Sequence, residues 1–133
     1  MKQPKKSKGH YEVLIEGEFS ASHYLRAYQQ GQDEPMHGHN WKVQIQVNSP
    51  SLDNLGISVD FVAVRDMLRQ ELQHFDYKLI NDLPAFQKLN PSSENVANHL
   101  FGRLDPRIQK EGGRLTRVTV WETHHSGASY VRS

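Results

Sequence analysis

Hydrophobic and polar residues alternate in two segments near the start of the chain, and this period of two predicts two β-strands. The apolar face of the first segment, residues 10–25, consists of Val13, Ile15, Phe19 and Ala21. The apolar face of the second segment, residues 37–48, consists of Trp41, Val43, Ile45 and Val47. The polar, glycine-containing stretch between them, residues 26–36, predicts a loop.

The hydrophobic period then changes to three and four residues, which predicts two amphipathic helices. The first starts after Asp60, a suitable N-cap, and its apolar face consists of Phe61, Val64, Leu68, Leu72 and Phe75. An irregular connection follows and ends at Pro91. The second helix starts at a Ser92 or Ser93 cap, and the segment at 105–107, which contains a proline, is expected to end it. Its apolar face consists of Val96, Ala97, Leu100, Phe101 and Leu104.

Two further strands are predicted at residues 114–123 and 128–132, with Val118, Val120 and Glu122 on one face of the former. The order ββααββ predicts an α+β domain over residues 10–133, in which two helices cover one face of a four-stranded, mainly antiparallel sheet. Because the other face is left uncovered, we expect several copies of the chain to associate.

Composition narrows the classes of partner. Sixteen basic and fifteen acidic side chains nearly cancel, which argues against a nucleic acid partner. The basic run in residues 1–9 is expected to be a solvated, disordered tail. With no apolar run of membrane-spanning length and no secretory signal, a cytoplasmic location without membrane contact is expected. The chain has no cysteine, so disulfides, a thiol nucleophile and a thiolate metal site are all excluded.

A histidine pair gives the first indication of chemistry. His37 and His39 lie two residues apart on a predicted strand, so both imidazoles project from one face. If the first two strands form a hairpin, His23 comes close to both of them. Three imidazoles with a fourth position open are the ligand set of a catalytic zinc, although iron, copper and nickel also accept imidazole. A histidine in such a pair can equally be a satisfied hydrogen-bonding group.

Six motifs, in order and spanning nearly the whole chain from residue 11, resemble those of the 6-pyruvoyl tetrahydropterin synthase and 6-carboxytetrahydropterin synthase family. They are FSASH (19–23), HGHNW (37–41), VDF (59–61), FDYKLIND (75–82), PSSENVA (91–97) and VTVWET (118–123). The resemblance implies the tunnelling fold (T-fold), in which three subunits join their sheets into a barrel and two barrels stack into a homohexamer. It also implies Zn²⁺ held by His23, His37 and His39, and 7,8-dihydroneopterin triphosphate as the small-molecule substrate.

The resemblance assigns substrate-binding residues as well. Glu122 falls where the family has its pterin-anchoring glutamate, and Thr123 follows it in the same motif. A carboxylate can accept two parallel hydrogen bonds from the 2-amino group and ring N–H of a pterin. Ser92 and Ser93 match a segment that borders the pterin pocket in the family, although helix capping explains them equally well.

One departure from the family concerns the general base. Most members carry a cysteine shortly before the histidine pair, and in the 6-carboxytetrahydropterin synthases its expected position is that of Asp33 here. Glu34 instead matches a class with a glutamate three positions before the first histidine. That class cleaves the substrate side chain to 6-hydroxymethyl-7,8-dihydropterin, a folate precursor. An ordinary loop acid is the alternative interpretation of Glu34.

A second departure concerns the proton relay. The family usually has Leu-Asp-His where this chain has Phe-Asp-Tyr, so Asp76 is retained and Tyr77 replaces the histidine. Tyrosine is a poor base at neutral pH. The candidates for the missing partner are Tyr77 itself and, in a predicted turn, His124 or His125.

Three functions therefore remain open. The favoured one is a zinc-dependent lyase that cleaves 7,8-dihydroneopterin triphosphate for folate biosynthesis, with Glu34, Asp76 and Tyr77 as its catalytic residues. The second is a 6-pyruvoyl- or 6-carboxy-tetrahydropterin synthase, serving tetrahydrobiopterin or queuosine (7-deazaguanine) synthesis, against which the missing cysteine counts. The third is a non-catalytic paralogue that binds zinc and a pterin.

Overall fold

A computed structural model describes residues 9–133, so the predicted tail lies outside the described residues except for Gly9. The regular elements are β1 (Tyr11–His23), β2 (His37–Ser49), α1 (Phe61–Gln73), β3 (Lys78–Leu79), α2 (Ser93–Lys110), β4 (Arg114–Thr123) and β5 (Ser126–Val131). The strands form one sheet in the order β3-β1-β2-β4-β5. The first helix packs on β1, and the second packs on β4 and β5.

The predicted α+β class and its two helices are confirmed, whereas the four-stranded sheet and the order ββααββ are wrong. The sheet has a fifth strand, β3, which runs parallel to β1 and pairs only with Ala21 and Ser22. It forms because the chain turns at Tyr77, whose φ is +59°, and the Tyr77 N–H donates to the Ser20 carbonyl at 2.6 Å. A two-residue strand is too short to show a hydrophobic period.

The predicted inward faces of β1 and β2 are buried as a continuous core layer. The two strands pair antiparallel along their whole length, from Tyr11 opposite Ser49 to His23 opposite His37. Gly17 occupies an inward position of β1 where a Cβ would lie only 2.9 Å from Leu72 Cδ1. The absence of a side chain there lets α1 pack closely against the sheet.

The first helix starts where it was predicted, with the Asp60 carboxylate accepting the Val62 N–H at 2.9 Å. Val64, Leu68 and Leu72 are buried on its inner face. Phe61 was wrongly placed on that face, since it is 53% exposed. It is the first helical residue and precedes the turns that rest on the sheet.

The predicted end of the second helix is wrong, because α2 continues through Pro106 to Lys110. Proline within a helix costs about 3 kcal/mol or more, since it removes a hydrogen bond to the residue four positions earlier. That residue is Gly102, and both it and Pro106 are exposed, so solvent can hydrogen-bond the freed carbonyl. Ile108 is fully buried, and its burial favours the extra turn by about 1.5–3 kcal/mol.

An ion-pair network also holds the last turns of α2 in place. Glu71 of α1 is buried, and its two carboxylate oxygens accept hydrogen bonds from Arg103 and Arg107 at 3.1 Å each. At the other end of α2 the N-cap is Ser92, which was one of the two predicted caps.

The connection between the helices, predicted to be irregular, contains β3 and two short 3₁₀ turns, Ile80–Asp82 and Pro84–Phe86. Its side chains Ile80 and Phe86 are fully buried, which fixes the connection to the core. No helix within residues 9–133 has the length and apolarity needed to cross a membrane.

Two glycines allow a matched test of packing. A Cβ on Gly113 would overlap a methyl group of Val47 and lie 3.1 Å from Val59, whereas a Cβ on Gly102 would meet nothing within 4 Å. We expect Gly113→Ala to lower the free energy of unfolding by about 1–3 kcal/mol through overpacking. Gly102→Ala should raise it by about 0.5–1 kcal/mol, since alanine is the better helix former. Urea denaturation of both variants measures this, and equal shifts of the same sign would contradict it.

Candidate functional site

Three imidazoles and a carboxylate converge at one end of the sheet. His23 ends β1 directly opposite His37 at the start of β2, and His39 lies two residues further along the same face. Glu122 reaches the group from β4. One ligand atom from each of these four residues lies within 4.8 Å of those of the other three. The convergence of the three histidines predicted from strand pairing is therefore what the fold produces, and Glu122 is added to it.

Two backbone carbonyls orient the imidazoles. His23 Nδ1 lies 2.8 Å from the Pro91 carbonyl oxygen, and His37 Nδ1 lies 2.8 Å from the Pro35 carbonyl oxygen. A carbonyl oxygen can only accept, so in each ring Nδ1 carries the proton and donates it. In the neutral ring Nε2 is then left with its lone pair, as a metal ligand requires. Neither proline was singled out from the sequence, since a backbone carbonyl leaves no side-chain signal.

Trp41 packs behind the histidines. Its indole N–H donates to the Ala21 carbonyl at 3.1 Å, and its ring stands edge-on to His23 with centroids 4.7 Å apart. A similar contact joins it to His39 at 5.6 Å. Trp41 is fully buried, so it restricts rotation of both imidazoles and keeps water from this side of the site. The sequence placed Trp41 in the core without giving it this role.

Two ring nitrogens of the group are buried without a hydrogen-bond partner in the described structure, Nε2 of His23 and Nε2 of His39. Buried polar atoms are rarely left in this state. Burial lowers the pKa of His39, with His23 and His37 acting in the same direction and Glu122 opposing them. The neutral imidazole that a metal needs is thereby favoured. Both observations fit a group of side chains that could hold a divalent cation.

Glu122 faces the histidines because it shares the face of Val118 and Val120, as strand alternation predicted. The pairing of β4 with β2 stops at Trp121, and the register between β4 and β5 shifts between Trp121 and Thr123. Such irregularities bend a strand and leave the residue at that point without a regular ladder partner. The Glu122 carboxylate oxygen Oε1 comes to lie 2.9 Å from His23 Nε2 and 3.6 Å from His39 Nε2.

Glu34 lies beside the histidines, and Asp33 points away from them. Glu34 Oε1 accepts the Leu25 N–H at 3.0 Å and is 4.0 Å from His37 Nε2. Asp33 accepts the Ala27 N–H at 2.9 Å, and Ala27 has a left-handed φ of +54°. Asp33 therefore closes the loop. Of these two neighbouring acids, Glu34 is the one that lies within reach of the histidines.

Asp76 and Tyr77 lie on the other side of the group. They line an open cavity of about 810 Å³ that also contains His39, Glu122 and Thr123, which is large enough for a small ligand. Asp76 accepts the Ser20 N–H at 2.9 Å. Tyr77 is 87% exposed, so its hydroxyl is accessible from solvent.

The remaining predicted residues separate into two groups. His124 lines the cavity, whereas His125 is not among its lining residues within the described chain. Ser92 and Ser93 do not line it either. Ser92 accepts the Asn95 N–H at 3.1 Å as a helix cap, which is the interpretation that competed with substrate binding. This segment reaches the histidines through the carbonyl of the neighbouring Pro91.

Comparison with known proteins agrees with this geometry. The family model of 6-pyruvoyl tetrahydropterin synthase matches residues 12–133. A putative 6-carboxy-5,6,7,8-tetrahydropterin synthase of Archaeoglobus fulgidus is 28% identical over 120 residues, which cover 90% of this chain and 95% of the relative. The 6-carboxy-5,6,7,8-tetrahydropterin synthase of Rickettsia bellii is 27% identical, with 80% and 89% covered.

Solved structures show the same fold. The 6-pyruvoyl tetrahydropterin synthase of Caenorhabditis elegans superposes with a TM-score of 0.81 at 22% identity, covering 94% of this chain and 97% of that one. A Plasmodium vivax 6-pyruvoyltetrahydropterin synthase, solved as a mutant of a catalytic glutamate, has a TM-score of 0.71 at 18% identity, with 94% and 99% covered. Since the family model spans nearly all the described residues, this chain belongs to the 6-pyruvoyl tetrahydropterin synthase family.

Proposed function

We propose that this protein is a zinc-dependent pterin lyase that acts on 7,8-dihydroneopterin triphosphate and releases 6-hydroxymethyl-7,8-dihydropterin for folate biosynthesis. The observation that carries the proposal is the position of Glu34 beside three converging imidazoles, in a chain that has no cysteine. Membership of the family indicates the class of reaction, and Glu34 in place of a cysteine favours one reaction of that class.

Zinc fits the donor set. His23, His37 and His39 offer three imidazole nitrogens, and the orphaned Nε2 atoms of His23 and His39 would be satisfied by a cation. Zinc at such a site, when bound, polarises substrate hydroxyl groups and lowers their pKa. The carbonyls of Pro91 and Pro35 support the arrangement, since ligating histidines normally donate their other N–H to such a group.

Glu34 is suited to the role of general base. The Leu25 N–H holds its carboxylate, and only 19% of its side chain is exposed. A base of this kind takes the proton from the hydroxyl on the second side-chain carbon. The bond between the first two side-chain carbons then breaks in a retro-aldol step, and that oxygen becomes the carbonyl of the aldehyde that leaves with the triphosphate. The first carbon keeps its hydroxyl and takes a proton from an acid of the site. The mutated glutamate named as catalytic in the Plasmodium vivax protein supports a glutamate base within this fold.

The cavity beside the histidines suits the pterin ring. Glu122 and Thr123 line it, and a carboxylate there can accept the paired hydrogen bonds of the 2-amino group and ring N–H. Asp76 and either Tyr77 or His124 are the acid–base partners within the cavity. Ser92 and Ser93 border the site through Pro91 alone.

The second candidate is a 6-carboxytetrahydropterin synthase of 7-deazaguanine synthesis, and the names of the curated relatives favour it. Against it stands Asp33 at the position expected for the cysteine, with its carboxylate engaged by Ala27. A 6-pyruvoyl product would require the same base to remove a different proton and eliminate triphosphate. A non-catalytic paralogue is the third candidate, because Tyr77 replaces the relay histidine.

We extend the proposal to the assembly. The sheet has two edges. Strand β3, together with the part of β1 that it does not cover, forms one edge, and β5 forms the other. On β5, Tyr130 and Val131 are 40% and 47% exposed. Unpaired edges of this kind are covered when sheets of neighbouring copies join. A homohexamer built from two trimers fulfils this requirement.

The ligand assignment can be tested by metal binding. We expect one zinc per chain and a loss of affinity of at least about 100-fold in His37→Ala, because a missing ligand should cost no less than a missing outer-shell partner. His125→Ala is the matched control and should bind like the wild type. Competition with a chromogenic chelator measures both. Wild-type affinity in His37→Ala would show the assignment to be wrong.

The reaction can be tested by product mass and by Glu34. Zinc-loaded protein incubated with 7,8-dihydroneopterin triphosphate should yield 6-hydroxymethyl-7,8-dihydropterin. Glu34→Gln should lower kcat by about 10²- to 10⁴-fold, the usual contribution of a general base, and should keep its zinc. Asp33→Asn, which retains an acceptor for Ala27, is the control and should keep its activity.

Other outcomes would decide against the favoured function. A 6-carboxy product supports the second candidate, and substrate that binds without turnover leaves the third. Undiminished turnover in Glu34→Gln would remove Glu34 from the mechanism.

A further inference from the structure

We propose that Glu122 is a fourth protein ligand of the metal when no substrate is present, and that it leaves the metal to hold the pterin ring. The inference rests on the proposed zinc site. It gives the Glu122 carboxylate two roles, metal ligand and pterin anchor, which it fills at different times. The metal would then have four protein ligands until substrate binds.

Two separations measured to Glu122 are close to those around a shared ion, and all four ligand atoms lie within 4.8 Å of one another. Four ligands at about 2.0–2.1 Å from a tetrahedral zinc lie roughly 3.3–3.4 Å from one another. Glu122 Oε1 lies 2.9 Å from His23 Nε2 and 3.6 Å from His39 Nε2, so the two observed separations fall on either side of that value. Small movements of the Glu122 side chain would equalise them.

The short contact between Glu122 and His23 is not a hydrogen bond. Nε2 of His23 has no hydrogen-bond partner in the described structure, although the carboxylate oxygen is only 2.9 Å away. Its proton is on Nδ1, where the Pro91 carbonyl accepts it. A nitrogen lone pair and a carboxylate oxygen at this distance repel each other unless a metal cation or a second ring proton lies between them. Since His23 is 1% exposed, water cannot relieve the repulsion.

The position of Glu122 gives it access to both sites. Its side chain is 30% exposed and lines the open cavity together with Thr123, while its Oε1 reaches the imidazoles. The register shift at this point of β4 frees the residue from regular pairing on both sides. A single residue with few backbone restraints can therefore turn between the histidines and the cavity.

The two roles cannot be filled together. Paired hydrogen bonds to a pterin use both oxygens of the carboxylate, and Glu122 Oε1 is the oxygen that faces the imidazoles. Binding of the ring would draw Glu122 off a bound metal, and the position it leaves would be open to a side-chain hydroxyl of the substrate. A closed site has four protein ligands and a catalytic one has three, and Glu122 converts one into the other.

Cobalt substitution tests this, since the visible absorption of Co²⁺ reports its ligands whether or not the protein turns over. The variants are Glu122→Gln and, as a matched control, Glu18→Gln, which changes another acid that lines the same cavity. We expect Glu122→Gln to bind Co²⁺ at least about 10-fold more weakly and to have an altered spectrum. Pterin without a side chain, added to the wild type, should shift the spectrum towards that of Glu122→Gln. Glu18→Gln should bind and absorb like the wild type.

Unchanged affinity and an unchanged spectrum in Glu122→Gln would overturn the inference and leave the three-histidine site intact. Failure of the proposed metal site looks different, because His37→Ala would then bind Co²⁺ as well as the wild type does. Failure of the proposed reaction would appear in the product mass and not in the Co²⁺ spectra. Unfolding curves of each variant show whether a loss of affinity comes from a loss of fold.

Discussion

The antiparallel pairing of β1 with β2 fixes the place where the three histidines of this protein converge. The two strands match over their full length, and the last pair is His23 with His37. A slip of one residue would turn every side chain of one strand to the opposite face. Trp41, Val43 and Ile45 are fully buried, so such a slip would expose much of the core. The hydrophobic effect that stabilises the sheet therefore also holds the imidazoles in position.

The other parts of the site are attached to this pair of strands. The N–H and carbonyl groups of Ser20 in β1 bind Asp76 and Tyr77, and these two bonds hold a left-handed tyrosine that would otherwise be unfavourable. On the other side β4 brings Glu122, whose Oε1 lies 2.9 Å from His23 Nε2. The cavity lies between these two contributions, which explains why it contains residues from distant parts of the sequence.

The sequence alone was sufficient for four of the five strands, both helix starts and the common face of the histidines, because alternating and helical periods indicate which side of an element is buried. It was insufficient where tertiary contacts outweigh local preference. Burial of Ile108 extends α2 past Pro106. Strand β3 follows the hydrogen bonds that Asp76 and Tyr77 form with Ser20 of β1. The same distinction applies to the residues of the candidate site. Strand parity was enough for the three histidines, and the resemblance to the family pointed to Glu34.

The contact of Glu122 with the histidines and the orienting carbonyls of Pro91 and Pro35 follow only from the folded chain. Strand parity put Glu122 on the face of Val118 and Val120, but its distance from the histidines depends on how β4 pairs with β2, which the hydrophobic pattern does not encode.

X-ray absorption at the zinc edge measures the central feature directly. Zinc-loaded protein without substrate should give one zinc per chain with four nitrogen or oxygen donors at about 2.0–2.1 Å, three of them imidazoles. Fewer than three imidazoles around the zinc, or the same spectrum from His37→Ala, would contradict a metal site built on the pairing of His23 with His37.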